Sequence, residues 1–272
     1  MIIDAHQHFW RLERGDYGWL TPELAPIYRD FGPSDLAPHL ARQGIGGTVL
    51  VQAAPTLAET EYLLELAGES DVVRGVVGWV DFEATSAPEE IARLARHPKL
   101  VGLRPMIQDI ADDDWMLDPV LAPAFEAMIR HDLTFDALVL PRHLPRLRRL
   151  LARHPDLRCV IDHGAKPEIA AGRFDAWAGE MAALARETRA WCKLSGLLTE
   201  AGEGAGRAEL EPYVAHLVAQ FGPARLVWGS DWPVLTLAAS YEAWFEMARS
   251  LIPDAEDRRA VFGGNAAGLY RL

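Results

Sequence analysis

The chain has 272 residues, half of them hydrophobic, two cysteines and a formal charge of −12. That excess of carboxylates excludes nucleic acid and anionic membrane surfaces as partners, because both are held by clustered Lys and Arg. Two cysteines, Cys159 and Cys192, exclude a disulfide framework and a four-cysteine zinc cluster. No apolar stretch approaches the ~20 residues of a membrane span and no signal peptide precedes the first strand, so a cytoplasmic protein is expected. The length suits one domain over residues 1–272.

Ile2 and Ile3 open a β-branched run, and "MIIDAHQHFW" reads as a strand. Alternation along that strand would set Asp4, His6 and His8 on one face. Two neighbouring imidazoles are either a hydrogen-bonded pair or half of a divalent-metal site. A long link at 10–33 follows, with Trp10, Tyr17, Trp19 and Tyr28. Further strands are expected at 47–54, 72–81, 100–107, 133–140, 157–165, 189–196 and 225–233. Helix signals fall between them. "TLAE" (56–59) and "SAPE" (86–89) place Thr or Ser three residues before Glu, the capping-box pattern. Leu144, Leu147, Leu150 and Leu151 form one apolar stripe before Pro155, and 240–253 is a similar amphipathic stretch. The glycine-rich link "LLTEAGEGAG" after the seventh strand is expected to move.

Eight strand–helix units of about 30 residues match a single α/β (β/α)8 TIM-type barrel with a long first βα loop. A doubly wound open sheet is the alternative, but no G-x-G-x-x-G follows the first strand. A barrel builds its site at the C-terminal ends of its strands. The polar residues fall late in their runs: His6 and His8, Gln52, Asp81, Arg104, His163, Lys193, Ser195 and Asp231. Strand five offers only Asp136, which comes earlier. Burying such groups unpaired costs several kcal/mol each, so they face solvent, one another or a ligand. Lys193, mid-strand, either reaches the mouth or pairs inside with a residue such as Asp4. His143, opening a helix after strand five, is a weaker candidate, and the remaining histidines lie near helix ends.

The opening H-x-H, "IDHGAKP" (161–167), "KLSGL" (193–197) and "WGSDWP" (228–233) occur in order on the expected strands. With them the chain resembles the amidohydrolase superfamily, in its amidohydrolase-related branch of sugar lactonases. The resemblance runs from His6 to "GGNAAGLY" at 263–270. It implies a distorted (β/α)8 barrel and hydrolysis of a sugar-acid lactone of the L-fucono or L-rhamnono type, a small-molecule partner. His6 and His8 match the family's strand-one metal pair, His163 its strand-six histidine, and Asp231 the aspartate that touches the metal and takes a proton from water. Arg104 stands where many relatives place a bridging Lys or Glu, and strand five lacks a histidine. These departures point to one divalent ion, Zn2+, on His6, His8 and Asp231, with His163 adjoining, and leave a metal-free site open.

On this reading Asp231 and His163 are the catalytic residues. Trp10, Trp79 and Trp232 offer flat faces for a sugar ring, with core packing as the alternative for each. Gln52, Arg104 and Lys166 offer hydrogen-bond partners for hydroxyls, joined by Asp81 and Ser195. Arg104 could instead hold a substrate carboxylate, which keeps a decarboxylase, hydratase or lactone isomerase as a rival. A non-catalytic sugar-binding barrel is the second rival.

Overall fold

Each β-branched run becomes one strand of a single parallel sheet in the computed structural model, which describes residues 1–272. The strands are β1 (Ile2–Gln7), β2 (Ile45–Val51), β3 (Val73–Gly78), β4 (Leu100–Leu103), β5 (Thr134–Ala137), β6 (Cys159–Ile161), β7 (Trp191–Leu194) and β8 (Leu226–Trp228). They pair in sequence order, with helices between successive strands, which is the expected (β/α)8 barrel. No ladder joins β8 to β1. The seam is closed by the segment just past β8: Asp231 N donates to His6 O at 2.8 Å and His8 N to Trp232 O at 2.7 Å.

The strands are shorter than the runs suggest, most of them stopping just before a polar residue. β4 ends before Arg104 and β6 before Asp162. Beyond those ends the chain leaves extended conformation: His163, Ala165, Lys166 and Asp231 all take positive φ, which no strand permits.

The register of β1 on β2 shifts between Asp4 and Gln7, a bulge that breaks the alternation. Asp4 therefore does not share a face with His6. Its carboxylate accepts from Tyr241 Oη at 2.8 Å, in the helix Tyr241–Leu251, and from Ser230 N at 2.8 Å. His6 turns the other way, toward Lys193.

The barrel interior is filled by Ile3, Ala5, Val49, Val51, Val77, Val101, Val160 and Val227, closed off by Leu269 and Tyr270 of the last helix, Asn265–Tyr270. A larger apolar layer holds the helices to the outside of the sheet. Leu144, Leu147, Leu150 and Leu151 of the helix Leu144–Arg153 are all buried, as their spacing requires. Each such side chain contributes roughly 1.5–3 kcal/mol.

The start of the helix Leu57–Gly68 is capped as expected, with Thr56 Oγ1 accepting from Glu59 N at 3.1 Å. The Glu59 side chain does not return to Thr56. It accepts instead from Ala53 N (3.0 Å) and Ala54 N (2.5 Å), pinning the loop after β2. Ser86 makes no side-chain cap although a helix, Ala87–Leu94, does start there. The glycine-rich link begins as a short helix, Leu197–Ala201. No helix is long and apolar enough to cross a membrane.

Candidate active site

The seam that closes the barrel assembles the site. Gly229 follows β8, and a Cβ there would lie 2.6 Å from the Cβ of His6, so only glycine lets the two strands approach. Beyond it, Asp231 Oδ1 comes 3.2 Å from His8 Nε2 and 3.6 Å from His6 Nε2, and the two Nε2 atoms are 3.2 Å apart. His163 Nε2 lies 3.9 Å from the same oxygen. The expected trio of His6, His8 and Asp231 is thus brought together, with His163 beside it.

Second partners orient the rings. His8 Nδ1 sits 2.7 Å from Val51 O; a carbonyl only accepts, so that nitrogen carries a hydrogen, and Nε2 faces the cluster. His163 Nδ1 lies 2.8 Å from Ser195 Oγ. Gly196, with φ of 62°, backs that ring: a Cβ would sit 2.6 Å from His163 Nδ1.

Beneath the cluster lies a charged floor. Lys193 Nζ is 2.5 Å from Asp136 Oδ2, 3.0 Å from Asp162 Oδ1 and 3.0 Å from His6 Nδ1, all fully buried. Tyr270 Oη donates to Asp136 Oδ2 at 2.6 Å. Lys193 therefore pairs inside the barrel, with Asp136 and Asp162 rather than Asp4. Asp162 escaped the sequence reading, although it immediately precedes His163 in "IDHGAKP".

Burial raises Asp136 to about 6 despite Lys193. Burial also pushes Asp162 up, but Lys193 and then His6 outweigh it and hold that carboxyl well below the usual range. Burial, reinforced by Lys193, keeps His6 well below an ordinary imidazole. His163 is lowered to about 4 by burial, against the pull of Asp231. Asp231 is raised by burial, yet His163, the His8 hydrogen bond and His6 together hold it well below the usual carboxylate range. Near neutral pH the cluster thus combines an ionised carboxylate with unprotonated imidazoles at His6 and His163, a donor set fit for a divalent cation. The guanidinium of Arg104 stands 3.4 Å from His6 Nε2, beside the cluster.

A cavity of about 190 Å3 opens over the cluster, walled by His8, Arg104, His163, Lys166 and Asp231, with Trp19, Met106, Leu138 and Val234 as its apolar side. Lys166 Nζ is 3.7 Å from Glu200 Oε1, in the short helix after β7. Other expected contacts fall elsewhere. Gln52 is buried behind Arg104, its Nε2 donating to Arg104 O and its two oxygens accepting from Arg104 Nη2. It holds the guanidinium rather than lining the cavity.

Trp10 is fully buried, donating to Arg29 O and packing on Trp19 and Phe31, and Trp232 packs edge-on against Phe31. Both took the core alternative because the long first loop folds over them. Trp79 lines a separate, neighbouring cavity. His143 is remote from the cluster, accepting from Leu140 N and facing Asp113. Trp19, Gln108, Asp109, Leu138 and Val234 reach the cavity from loops and carried no sequence signal for it, since single residues at loop positions follow no period.

Comparison with known proteins extends this picture. A family model described as amidohydrolase matches residues 3–272. An L-fucono-1,5-lactonase of Burkholderia ambifaria is 54% identical, over 99% of this chain and 95% of its own length. An L-fucono-1,5-lactonase of Burkholderia multivorans is 38% identical, over 99% and 96%. The crystal structure of an amidohydrolase from Burkholderia multivorans with bound zinc superposes with a TM-score of 0.94 at 36% identity, covering 100% of this chain and 99% of that one.

Proposed function

This chain belongs to the amidohydrolase family, and from that premise we propose that it hydrolyses the ring ester of a sugar-acid lactone of the L-fucono-1,5-lactone type. The observation that carries the chemistry is the placement of Asp231 Oδ1 3.2 Å from His8 Nε2 at the wall of a cavity that also presents Arg104 and Lys166. A carboxylate held ionised is ready to accept a proton from water. As the water oxygen bonds to the carbonyl carbon, negative charge grows on the carbonyl oxygen, and Arg104 and Lys166 are the donors able to meet it. The ring C–O bond then breaks. In this reading His163, 3.9 Å from Asp231 in the free protein, closes that gap once substrate is bound and passes the proton from Asp231 to the departing ring oxygen, leaving a hydroxy acid.

One divalent ion, Zn2+ on the strength of the zinc-bearing relative, would be held among His6, His8, His163 and Asp231: ligand atoms of His6, His163 and Asp231 lie within 4.8 Å of one another, and His8 Nε2 lies 3.2 Å from Asp231 Oδ1. It would supply Lewis-acid polarisation of the carbonyl. Leu138 and Val234 give the cavity an apolar side that suits the methyl group of a deoxy sugar. A pH-stat assay across a panel of aldonolactones tests the reading. Acid release fastest from L-fucono-1,5-lactone is expected; no acid release from any lactone would overturn it, and loss of CO2 from a carboxylated substrate would favour the decarboxylase rival.

A further inference from the structure

A second chamber, of about 540 Å3, lies beside the catalytic cavity among the loops that follow β3 and β4. Trp19, Met106 and Asp109 line both chambers, so the two adjoin. We infer that this chamber is a subsite for an uncharged glycosyl residue carried by the lactone, so that the substrates include lactones of glycosylated aldonic acids. The inference rests on the lactonase reading and names a substrate class for it.

Three tryptophans give the chamber its character, and two of them have anchored indoles. Trp19 Nε1 donates to Ala53 O at 2.7 Å and Trp115 Nε1 to Glu83 Oε1 at 2.8 Å. Trp79 is tied through its backbone N and O to Thr60 Oγ1, at 2.7 and 2.8 Å. Flat faces already held in place cost little further ordering when a ring docks on them. The apolar face of a sugar ring matches such surfaces, while its hydroxyls need acceptors. Asp81, Glu83 and Asp109 supply carboxylates at the exposed side. No lysine or arginine lines the chamber, so a uronic acid or phosphate there would meet only negative charge.

Size points the same way. The catalytic cavity, at about 190 Å3, lies below the ~300–1,000 Å3 common for ligand pockets and suits a single ring, whereas the second chamber lies within that range.

The experiment compares matched pairs: D-glucono-1,5-lactone against cellobiono-1,5-lactone, and D-xylono- against xylobiono-lactone. The disaccharide member of at least one pair should show a kcat/KM about tenfold higher. Trp115→Ala should abolish that preference while the monosaccharide rate stays unchanged. Because burial of Trp115 makes this variant a folding risk, Asp81→Lys at an exposed position of the lining provides a second arm. It should admit a glucuronyl-bearing lactone about tenfold better than the parent protein does. Equal rates within every pair, or a preference that survives Trp115→Ala, would overturn the subsite, as would an Asp81→Lys variant no better with the glucuronyl compound. If none of these compounds is hydrolysed, L-fucono-1,5-lactone decides the lactonase reading, which falls only if that lactone is left intact too. The chamber is then judged by ligand-observed NMR with methyl β-cellobioside, where binding lost in Trp115→Ala supports the subsite and absence of binding overturns it.

Discussion

The backbone amide of Asp231 donates to the carbonyl oxygen of His6 at 2.8 Å, and the side chains of the same two residues stand 3.6 Å apart. Closure of the barrel and the geometry of the cluster therefore depend on the same residues. The hydrogen bonds that join the end of β8 to β1 are made by the residues that carry the candidate chemistry.

Gly229→Ala tests that coupling. Its Cβ would sit 2.6 Å from the Cβ of His6, where neither strand can yield without opening the seam. Overpacking of this kind costs about 1–3 kcal/mol. Denaturant unfolding should show that loss together with reduced lactone hydrolysis. A variant with unchanged stability and full activity would mean the seam is softer than its geometry.

Asp231→Asn keeps the shape of the side chain and removes the proposed base. The rate of lactone opening should fall by roughly 10²–10⁴. Binding of the product hydroxy acid, followed by calorimetry, should persist. Turnover within a factor of a few of the parent would place the base elsewhere.

The pH profile follows from two groups. Asp231 is held ionised far into the acid range, and His163, lowered to about 4, is neutral above that value. If hydrolysis needs both forms, kcat/KM should stay level from neutral pH downward and decline as pH drops through about 4. Rates corrected for spontaneous lactone opening give the profile. An acid limb centred on an ordinary histidine would show that another imidazole controls the step.

Divalent-ion binding should be visible without any assay of turnover. A ligand present at 100 times its Kd stabilises the folded state by about 2.7 kcal/mol. Added Zn2+ should therefore raise the thermal midpoint of chelator-treated protein. His8→Ala removes an imidazole whose Nε2 faces the cluster and should shrink that rise. An identical rise in the variant would remove His8 from the ligand set.

Lys193→Met strands Asp136 and Asp162 in the barrel interior without their common cation. Removing one partner of a buried ion pair costs about 3–5 kcal/mol. Urea unfolding should show a loss of that size. Adding Asp136→Asn and Asp162→Asn to the same variant should recover part of it, because no buried charge is then left unpaired.

Much of this molecule is legible in one dimension. The eight apolar runs, the leucine stripe at 144–151 and the order of the four motifs specify a barrel and the strand ends at which its chemistry gathers, because strand and helix periods are local properties of the chain. His6, His8, His163 and Asp231 were identifiable for the same reason: each lies near the end of its own run. Where residues sit within three dimensions was not legible. The bulge at β1 sends Asp4 toward Tyr241 and His6 inward, and alternation along a strand carries no mark of such a break.

Asp162 acquires its meaning only from Lys193, on the neighbouring strand, which partners it at 3.0 Å. Trp10 and Trp232 carry the composition of a sugar platform, yet the long first loop covers them and makes them core, while Trp19 from that loop reaches the cavity. Composition and period determined which elements form and at which end the reactive side chains collect. Tertiary packing alone decided which aromatic faces stay open and which charges neutralise one another, because those outcomes depend on contacts between segments far apart in the chain.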